Sequence, residues 1–509
     1  MTLDAIGLQV MAHAFAGIAE EMGALLVASA LSPNVRERRD SSAALFTDDG
    51  VLIAQAAHIP VHLGAMPEAV AAVRGMRPDP GDTFILNDPY TGGTHLPDIT
   101  MVHAIQLGDA IGGYTVVRAH HSDVGGSTPG SMPSSSRELF EEGLIIPPTR
   151  WATAQGVRAD IERLVLANVR TPDIRRGDLA AQHAACVRGA DRLRELVARV
   201  GHDHCVGAVA DLLAYAEQRS REAVARAVAD GVYEADDYLE GDGVTVGDLT
   251  IRVRVTVRGG GMEVDFTGTD PEGPGNVNCP LAVTRSAVLF VLRCLVDQDI
   301  PTNGGMHRVV SVLAPPGSLV NARWPRAVAA GNVETSQRIA DVLFLALGEA
   351  AKLPAQGQGT MNNVVMGGDG WTYYETLGGG QGGSARGPGP SGVHVGMSNT
   401  RNTPVEVFEM EYPLRIERYA LRDGSGGAGR AAGGDGVVRA YRALAPIHVS
   451  LITERRRHAP RGTQGGSPGK PGRNRLNDEE LAGRAARTMR PGDLLTIDTP
   501  GGGGWGADG

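Results

Sequence analysis

Glycine clusters in three places along this chain, Gly378–Gly383, Gly424–Gly436 and Gly501–Gly504, among 70 glycines in 509 residues. Lacking a Cβ, glycine accepts positive φ and lets one backbone lie directly against another. Clusters this dense predict tight turns and main chain packed closely on itself or on a partner. A codon bias toward Gly, Ala and Arg raises the total, but it does not explain the clustering. Only 4% of residues are aromatic, so ring packing contributes little to the core.

At 509 residues the chain is too long for one simple core and predicts two or three packed lobes. Apolar residues at 42% and charged residues at 21% are ordinary for a soluble globular protein. The formal charge is −10, and no basic stripe with interleaved aromatics is present, so no nucleic-acid partner is expected. The one basic run, Arg455-Arg456-Arg457, is expected to be a solvated face. Cys186, Cys205, Cys279 and Cys294 form no CxxC pair and read as free thiols in a reducing compartment. The N-terminus lacks a basic stretch followed by an apolar core and a small-residue cleavage site. With no 18-residue apolar run, no membrane span is expected and the location is read as cytoplasmic.

Residues 4–30 read as a helix, with Ile6, Val10, Ala14, Ile18, Met22 and Leu25 at helical spacing. A hairpin follows over 43–53 around Asp48-Asp49-Gly50. Thr83–Asn87, Ile99–Ile105 and Tyr114–Ala119 read as strands. Residues 160–231 give three helical stretches punctuated by Thr171-Pro172 and by Gly201. Alternation of Ile251, Val253, Val255 and Val257 with Arg252, Arg254 and Thr256 predicts a half-buried strand. Gly259–Gly261 then turns the chain into Met262–Phe266. Residues 283–297 and 335–352 read as helices, and Leu494–Thr499 as a strand. The resulting fold class is α+β with mixed and antiparallel sheets. Its expected parts are an N-terminal lobe 1–155, a helical arm 156–235, a second α+β lobe 236–355 and a Gly-rich β region 356–509.

Chemistry concentrates in Asn87-Asp88-Pro89-Tyr90-Thr91-Gly92-Gly93-Thr94-His95-Leu96-Pro97-Asp98, a turn-rich loop after a short strand. Loops at strand ends are where sites are usually mounted. His95 and Asp98, three apart, can converge on one point. One strand pair later, His120 ends a strand and His121-Ser122-Asp123 follows. Two imidazoles and a carboxylate from adjacent strand ends suit Zn, Mn or Fe rather than Ca or a thiolate-bound ion. Asp123, Asp88 and His121 are candidates for orienting the ligands. Read alone, Asp40 closes a solvated charge run, and His58 and His62 read as packing residues. No P-loop, no dinucleotide fingerprint and no GxSxG are present, so a nucleotide or serine-nucleophile function has no motif here.

The loop 87–98, the run His120-His121-Ser122-Asp123-Val124-Gly125-Gly126, and Pro129-Gly130-Ser131-Met132 with Glu142-Gly143-Leu144 together resemble the hydantoinase B/oxoprolinase family. So do Val264-Asp265-Phe266-Thr267-Gly268-Thr269, Asn399-Thr400 with Asn402-Thr403-Pro404-Val405-Glu406, and Thr499-Pro500-Gly501 through Trp505-Gly506. The resemblance implies a B-type subunit of an ATP-dependent enzyme acting on a cyclic amide. It implies an A-type partner subunit that binds ATP and phosphorylates the substrate, in a dimer of heterodimers or a larger assembly. It implies a divalent metal held by His95, Asp98 and His120, with Asp40 as a fourth candidate. His121 or Asp123 is then the expected general base. Ketone carboxylation on the same scaffold and a non-catalytic structural role are the competing expectations.

Overall fold

The computed structural model describes residues 3–57 and 59–507. The first sheet has seven strands: β1 (Ser41–Phe46), β2 (Leu52–Ala57), β3 (Thr83–Leu86), β4 (Asp98–Leu107), β5 (Ala110–His120), β6 (Thr149–Thr153) and β7 (Gly156–Val157). They pair antiparallel in the order β2-β1-β5-β4-β3-β6-β7. Both faces are covered. Ala43 and Leu45 of β1 pack toward the helices Ala5–Ser29 and Pro172–Val200. Ala44 and Phe46 pack against the helix Met66–Gly75 on the opposite face. All six residues of β1 are therefore buried, and it reads as a continuous run instead of an alternation.

The helix Ala5–Ser29 forms where expected, but its buried stripe runs through Met11, Phe15, Ile18, Met22 and Leu26. Ile6 and Val10 are left 76% and 60% exposed. A helix this uniformly apolar does not reveal in its own sequence which face turns inward. By length and composition it is also apolar enough to cross a membrane, with a mean hydropathy of 1.4, where the sequence reading expected no such helix. The three stretches between 160 and 231 are the helices Ala159–Leu166, Pro172–Val200 and His202–Ala227. They do not project as an arm: Leu179, Ala185, Leu193, Leu212 and Leu213 share one core with the first sheet.

A second sheet holds β8 (Gly231–Leu239), β9 (Leu249–Arg258), β10 (Gly261–Asp265) and β11 (Val310–Leu313) in the order β11-β10-β9-β8, with β10 and β11 parallel. The boundary expected at 235 falls inside β8. Ile251, Val253, Val255 and Val257 face the core, where the helices Leu281–Leu295 and Ser336–Ala351 cover them. Arg252 and Arg254 face outward.

The C-terminal third holds β12 (Asn363–Gly368), β13 (Trp371–Glu375), β14 (Leu414–Arg422), β15 (Gly436–Ala443), β16 (Ile447–Ile452), β17 (Arg473–Leu476), β18 (Glu479–Leu481), β19 (Arg484–Met489) and β20 (Leu494–Asp498). They form two sheets, β13-β12-β16-β19 and β14-β15-β20-β17-β18, joined through one core that contains Met366, Tyr373, Tyr441, Leu451 and Ile497. Apart from Gly436, which opens β15, the glycine clusters lie outside these ladders. Their segments run against one another and share hydrogen bonds among several neighbours: Gly502 N to Gly434 O (2.9 Å), Gly434 N to Gln381 O (2.8 Å), Gly383 N to Gly503 O (2.9 Å) and Gly504 N to Ser467 O (2.8 Å). A Cβ on Gly380 would stand 1.9 Å from Gly434 O and 2.2 Å from Gly502 N. Only glycine permits that approach.

The run Arg455–Arg457 corrects the expectation of a solvated face. Arg455, at φ 59°, is fully buried. Its guanidinium lies 2.7 Å from Asp237 and 2.6 Å from Asp341. Arg456 bonds Asn362 and Asn474, and only Arg457 reaches the surface, where it pairs with Asp248. Two carboxylates arriving from β8 and from the helix Ser336–Ala351 make the burial of Arg455 tolerable.

Burial pushes the imidazoles of His103 and His307 from the usual 6.5 down to about 4. In the unfolded chain each takes up a proton near pH 6.5, and in the folded chain not until about pH 4. The unfolded state therefore binds more protons in that window, and stability is lost as pH falls through it. The thermal midpoint should drop between pH 6.5 and 4. A midpoint independent of pH across that range would contradict the burial of both rings.

Candidate metal centre

β4 begins at Asp98 and β5 ends at His120, and the two residues face each other in register. Side chains so paired on neighbouring strands lie roughly 5 Å apart at Cβ. His95 comes from the turn just before β4, where the Asp98 amide donates to His95 O at 3.0 Å. Asn87 fixes this turn: its Nδ2 donates to Leu96 O (2.8 Å) and Leu144 O (2.9 Å), and its Oδ1 accepts from Ile146 N (2.7 Å). A Cβ at Gly93 would fall 2.3 Å from Asn87 O, so the turn closes only with glycine there.

The result is a triangle of ligating atoms. His95 Nε2, His120 Nδ1 and Asp98 Oδ1 stand 3.2 Å from one another on all three sides. All three side chains are buried. Ligand atoms about 2.1 Å from an ion, at tetrahedral or octahedral angles, are about 3.0–3.4 Å apart. The donor set and its spacing thus fit a divalent ion bound by nitrogen and oxygen.

The electrostatics agree with that fit. Burial alone would raise the Asp98 carboxyl, but the charge of His95 and hydrogen bonds from His120, His62 and His95 hold it well below the usual range. It stays a carboxylate. Burial lowers His120, and Asp98 only partly opposes this, so the ring stays neutral as ligation requires. Thr94 Oγ1 donates to Asp98 Oδ2 at 2.6 Å, which leaves Oδ1 facing the two imidazoles. The far nitrogens, His95 Nδ1 and His120 Nε2, have no hydrogen-bond partner among the described residues. Packing orients the His120 ring instead: Tyr374 stacks on it with centroids 4.4 Å apart and planes 16° from parallel.

A cavity of about 20 Å³ adjoins the triangle, lined by Asp40, His62, Asp98, His120, Asn332, Tyr374, Thr376, Ser398 and Thr400, among others. Asp40 is 5% exposed, not solvated, and its carbonyl accepts from His120 N at 3.0 Å. His58 lies outside the described residues. His62, read from sequence as a packing residue, is buried with Nε2 3.5 Å from Asp98 Oδ2. Its only sequence signal was closeness to Pro60. Asn332 and Tyr374 had no signal at all.

His121 and Asp123 are not brought to this cavity. Past the end of β5, His121 turns toward the helix Pro172–Val200, where its Nε2 meets Gln182 Oε1 at 2.7 Å. Burial, then the charge of Arg175, push it down to about 4. The Asp123 carboxylate accepts from Gly125 N, Gly130 N and Arg170 N at 3.0 Å each, and from the Arg170 guanidinium at 2.9 Å. With both oxygens so engaged it fixes a loop. Asp88 likewise accepts from Tyr90 N and Thr91 Oγ1 within its own turn.

Comparison with known proteins places the chain in a family. The chain is 39% identical to 5-oxoprolinase 1 of Arabidopsis thaliana, over 99% of its own length but 42% of that protein. It thus spans about two fifths of that oxoprolinase. It is 32% identical to the B-type subunit of a putative D-/L-hydantoinase from a Pseudomonas species, covering 99% of this chain and 90% of the other. Its fold superposes on the crystal structure of the ATP-dependent caprolactamase from Pseudomonas jessenii with a TM-score of 0.92 and 29% identity, covering 100% of this chain and 92% of that one. The family model Hydantoinase B/oxoprolinase matches residues 4–508, and the chain belongs to that family.

Proposed function

We propose that this chain is the metal-bearing B-type subunit of an ATP-dependent cyclic-amide hydrolase, acting on a substrate phosphorylated by an A-type partner. The observation that carries the reading is the buried triangle of His95, Asp98 and His120, at the spacing an ion imposes. The partner is supported by lengths: the chain covers 90% of the hydantoinase relative, which is one component of its enzyme, and only 42% of a 5-oxoprolinase. The remainder of the longer protein corresponds, in this reading, to a separate ATP-binding chain. The assembly is read as cytoplasmic.

A ring amide resists water, and phosphorylating its oxygen makes the ring carbon electrophilic. A bound divalent ion would supply Lewis acidity and local positive charge at the triangle. The chain's own residues do the rest. Thr94 holds Asp98 Oδ2, Tyr374 fixes the plane of His120, and burial of the triangle strengthens every charge interaction there. His121 and Asp123 enter as supports for the strand end.

Co-purification with the partner, elemental analysis and an ATP-turnover screen across hydantoins, 5-oxoproline and simple ketones test this reading. Stoichiometric metal and ADP release that requires a cyclic amide and both chains are expected. ADP release that requires a ketone and bicarbonate, or that no cyclic amide raises, would refute it.

A further inference from the structure

The small cavity beside the triangle carries one polar atom with no partner and a second that is only weakly engaged. Asn332 Oδ1 is buried, lines the cavity, and has no hydrogen-bond partner among the described residues; His62 Nε2 is buried beside it, with Asp98 Oδ2 at the long distance of 3.5 Å. Another unpaired atom there, His120 Nε2, belongs to a ligand already described. Unpaired polar atoms in an interior are costly, and each one calls for a partner. The cavity, about 20 Å³, has room for one water and not for a ring.

Both groups are anchored from behind. His62 Nδ1 and the Ser42 hydroxyl share a hydrogen bond at 2.9 Å, which leaves Nε2 to the cavity. Asn332 sits in a π-helical turn, Gly331–Thr335, ahead of the helix Ser336–Ala351. Such turns are rare and are often found at functional sites. The turn is fixed at several points. Asn332 N donates to Val328 O (3.1 Å), and its carbonyl accepts from Ser336 Oγ (2.6 Å). The Glu142 carboxylate accepts from Val328 N and Ala329 N just upstream. A Cβ on Gly331 would stand 1.8 Å from Asn278 O, so the turn is pressed against that segment.

We propose that Asn332 and His62 hold the water that attacks the activated ring carbon. The inference rests on the hydrolase reading and deepens it by naming the groups that touch the nucleophile. The water donates one hydrogen to Asn332 Oδ1 and shares a second bond with His62 Nε2, leaving a lone pair directed outward. In the step itself the water oxygen bonds to the O-phosphorylated ring carbon and the carbon–nitrogen bond breaks. Both water protons end on the ring nitrogen, which leaves as an amine, and the water oxygen becomes the carbonyl of an acyl phosphate. A second water then releases phosphate and the carboxylate.

The test uses the reconstituted two-chain complex and compares wild type with Asn332→Ala, Asn332→Asp and His62→Gln. Asn332→Ala should lower kcat for ring opening on the order of 100-fold, with KM and metal content near wild type. In a single turnover followed by phosphorus NMR, the phosphorylated substrate should accumulate. Asn332→Asp keeps the acceptor oxygen and should recover much of the rate. Because both residues act on one water, the double variant Asn332→Ala/His62→Gln should cost less than the product of the two single losses. Wild-type hydrolysis with an undiminished Asn332→Ala, or a loss accompanied by loss of metal or of the folded state in both Asn332 variants, would overturn this assignment alone. A wild-type complex that hydrolyses no cyclic amide would overturn the hydrolase reading and this inference with it.

Discussion

Replacing His120 with alanine is expected to abolish both metal binding and ring opening. The imidazole supplies one corner of a triangle whose sides are all 3.2 Å, and two corners are a weak site for any divalent ion. Hydrolysis by the reconstituted complex should fall by three orders of magnitude or more, about 4 kcal/mol of transition-state stabilisation. Metal content by elemental analysis should drop toward background. Loss of the ring also removes the surface that Tyr374 stacks upon, so a modest decrease in thermal midpoint should accompany it. Unchanged metal content together with unchanged hydrolysis would remove His120 from the site. Folding with full metal content but without hydrolysis would make the triangle catalytic but not ligating.

The largest effect on stability should come from a single methyl group. Gly380→Ala places a Cβ 1.9 Å from Gly434 O and 2.2 Å from Gly502 N, both of them backbone atoms with no freedom to swing aside. Separating these segments to make room would break hydrogen bonds among the glycine clusters, including Gly434 N to Gln381 O. We expect a loss of about 4 kcal/mol or more, at the extreme end of single substitutions. Chemical denaturation should show it, or the variant should fail to accumulate as folded protein. Gly348→Ala is the matching control. It lies within the helix Ser336–Ala351, and nothing stands within 4 Å of its prospective Cβ. There the same change should stabilise by about 0.4–1 kcal/mol. Equal effects at the two positions would mean that the glycines serve solubility or codon usage and not close approach.

The convergence of His95, Asp98 and His120 was legible in the sequence because its geometry is local. β4 and β5 form a hairpin that turns between Leu107 and Ala110, so their register follows from a short connection. That register sets Asp98 opposite His120, and the turn before β4 brings His95 back over both. Asn332 and Tyr374 reach the same cavity from residues far along the chain, and no periodicity near them reports it. The run Arg455–Arg457 misled for the same reason: its burial depends on Asp237 and Asp341, more than a hundred residues upstream. The phase of the helix Ala5–Ser29 was ambiguous because most of its faces are apolar. His121 and Asp123 were expected to orient the ligands and, from the family resemblance, to offer a general base. Beyond the end of β5, however, the backbone turns them toward Gln182 and Arg170. The glycine clusters announced that backbones must touch, but they could not say which ones.

Those clusters bear on how the protein is made. Segments around 380, 434, 467 and 502 complete one another's hydrogen bonds, so the set is not satisfied until the last has joined. A nascent chain emerges from the ribosome N-terminus first, and its early parts begin to fold as they appear. The antiparallel sheet that carries Asp98 and His120 draws all its strands from residues 41–157, which are made well before the glycine-rich third. The glycine-rich third cannot close early: the Gly380 amide and the Gly434 carbonyl must wait for Pro500 and Gly502 to be translated. Maturation of the cavity, which draws Tyr374, Thr376 and Thr400 from that same third, is thereby deferred until after translation.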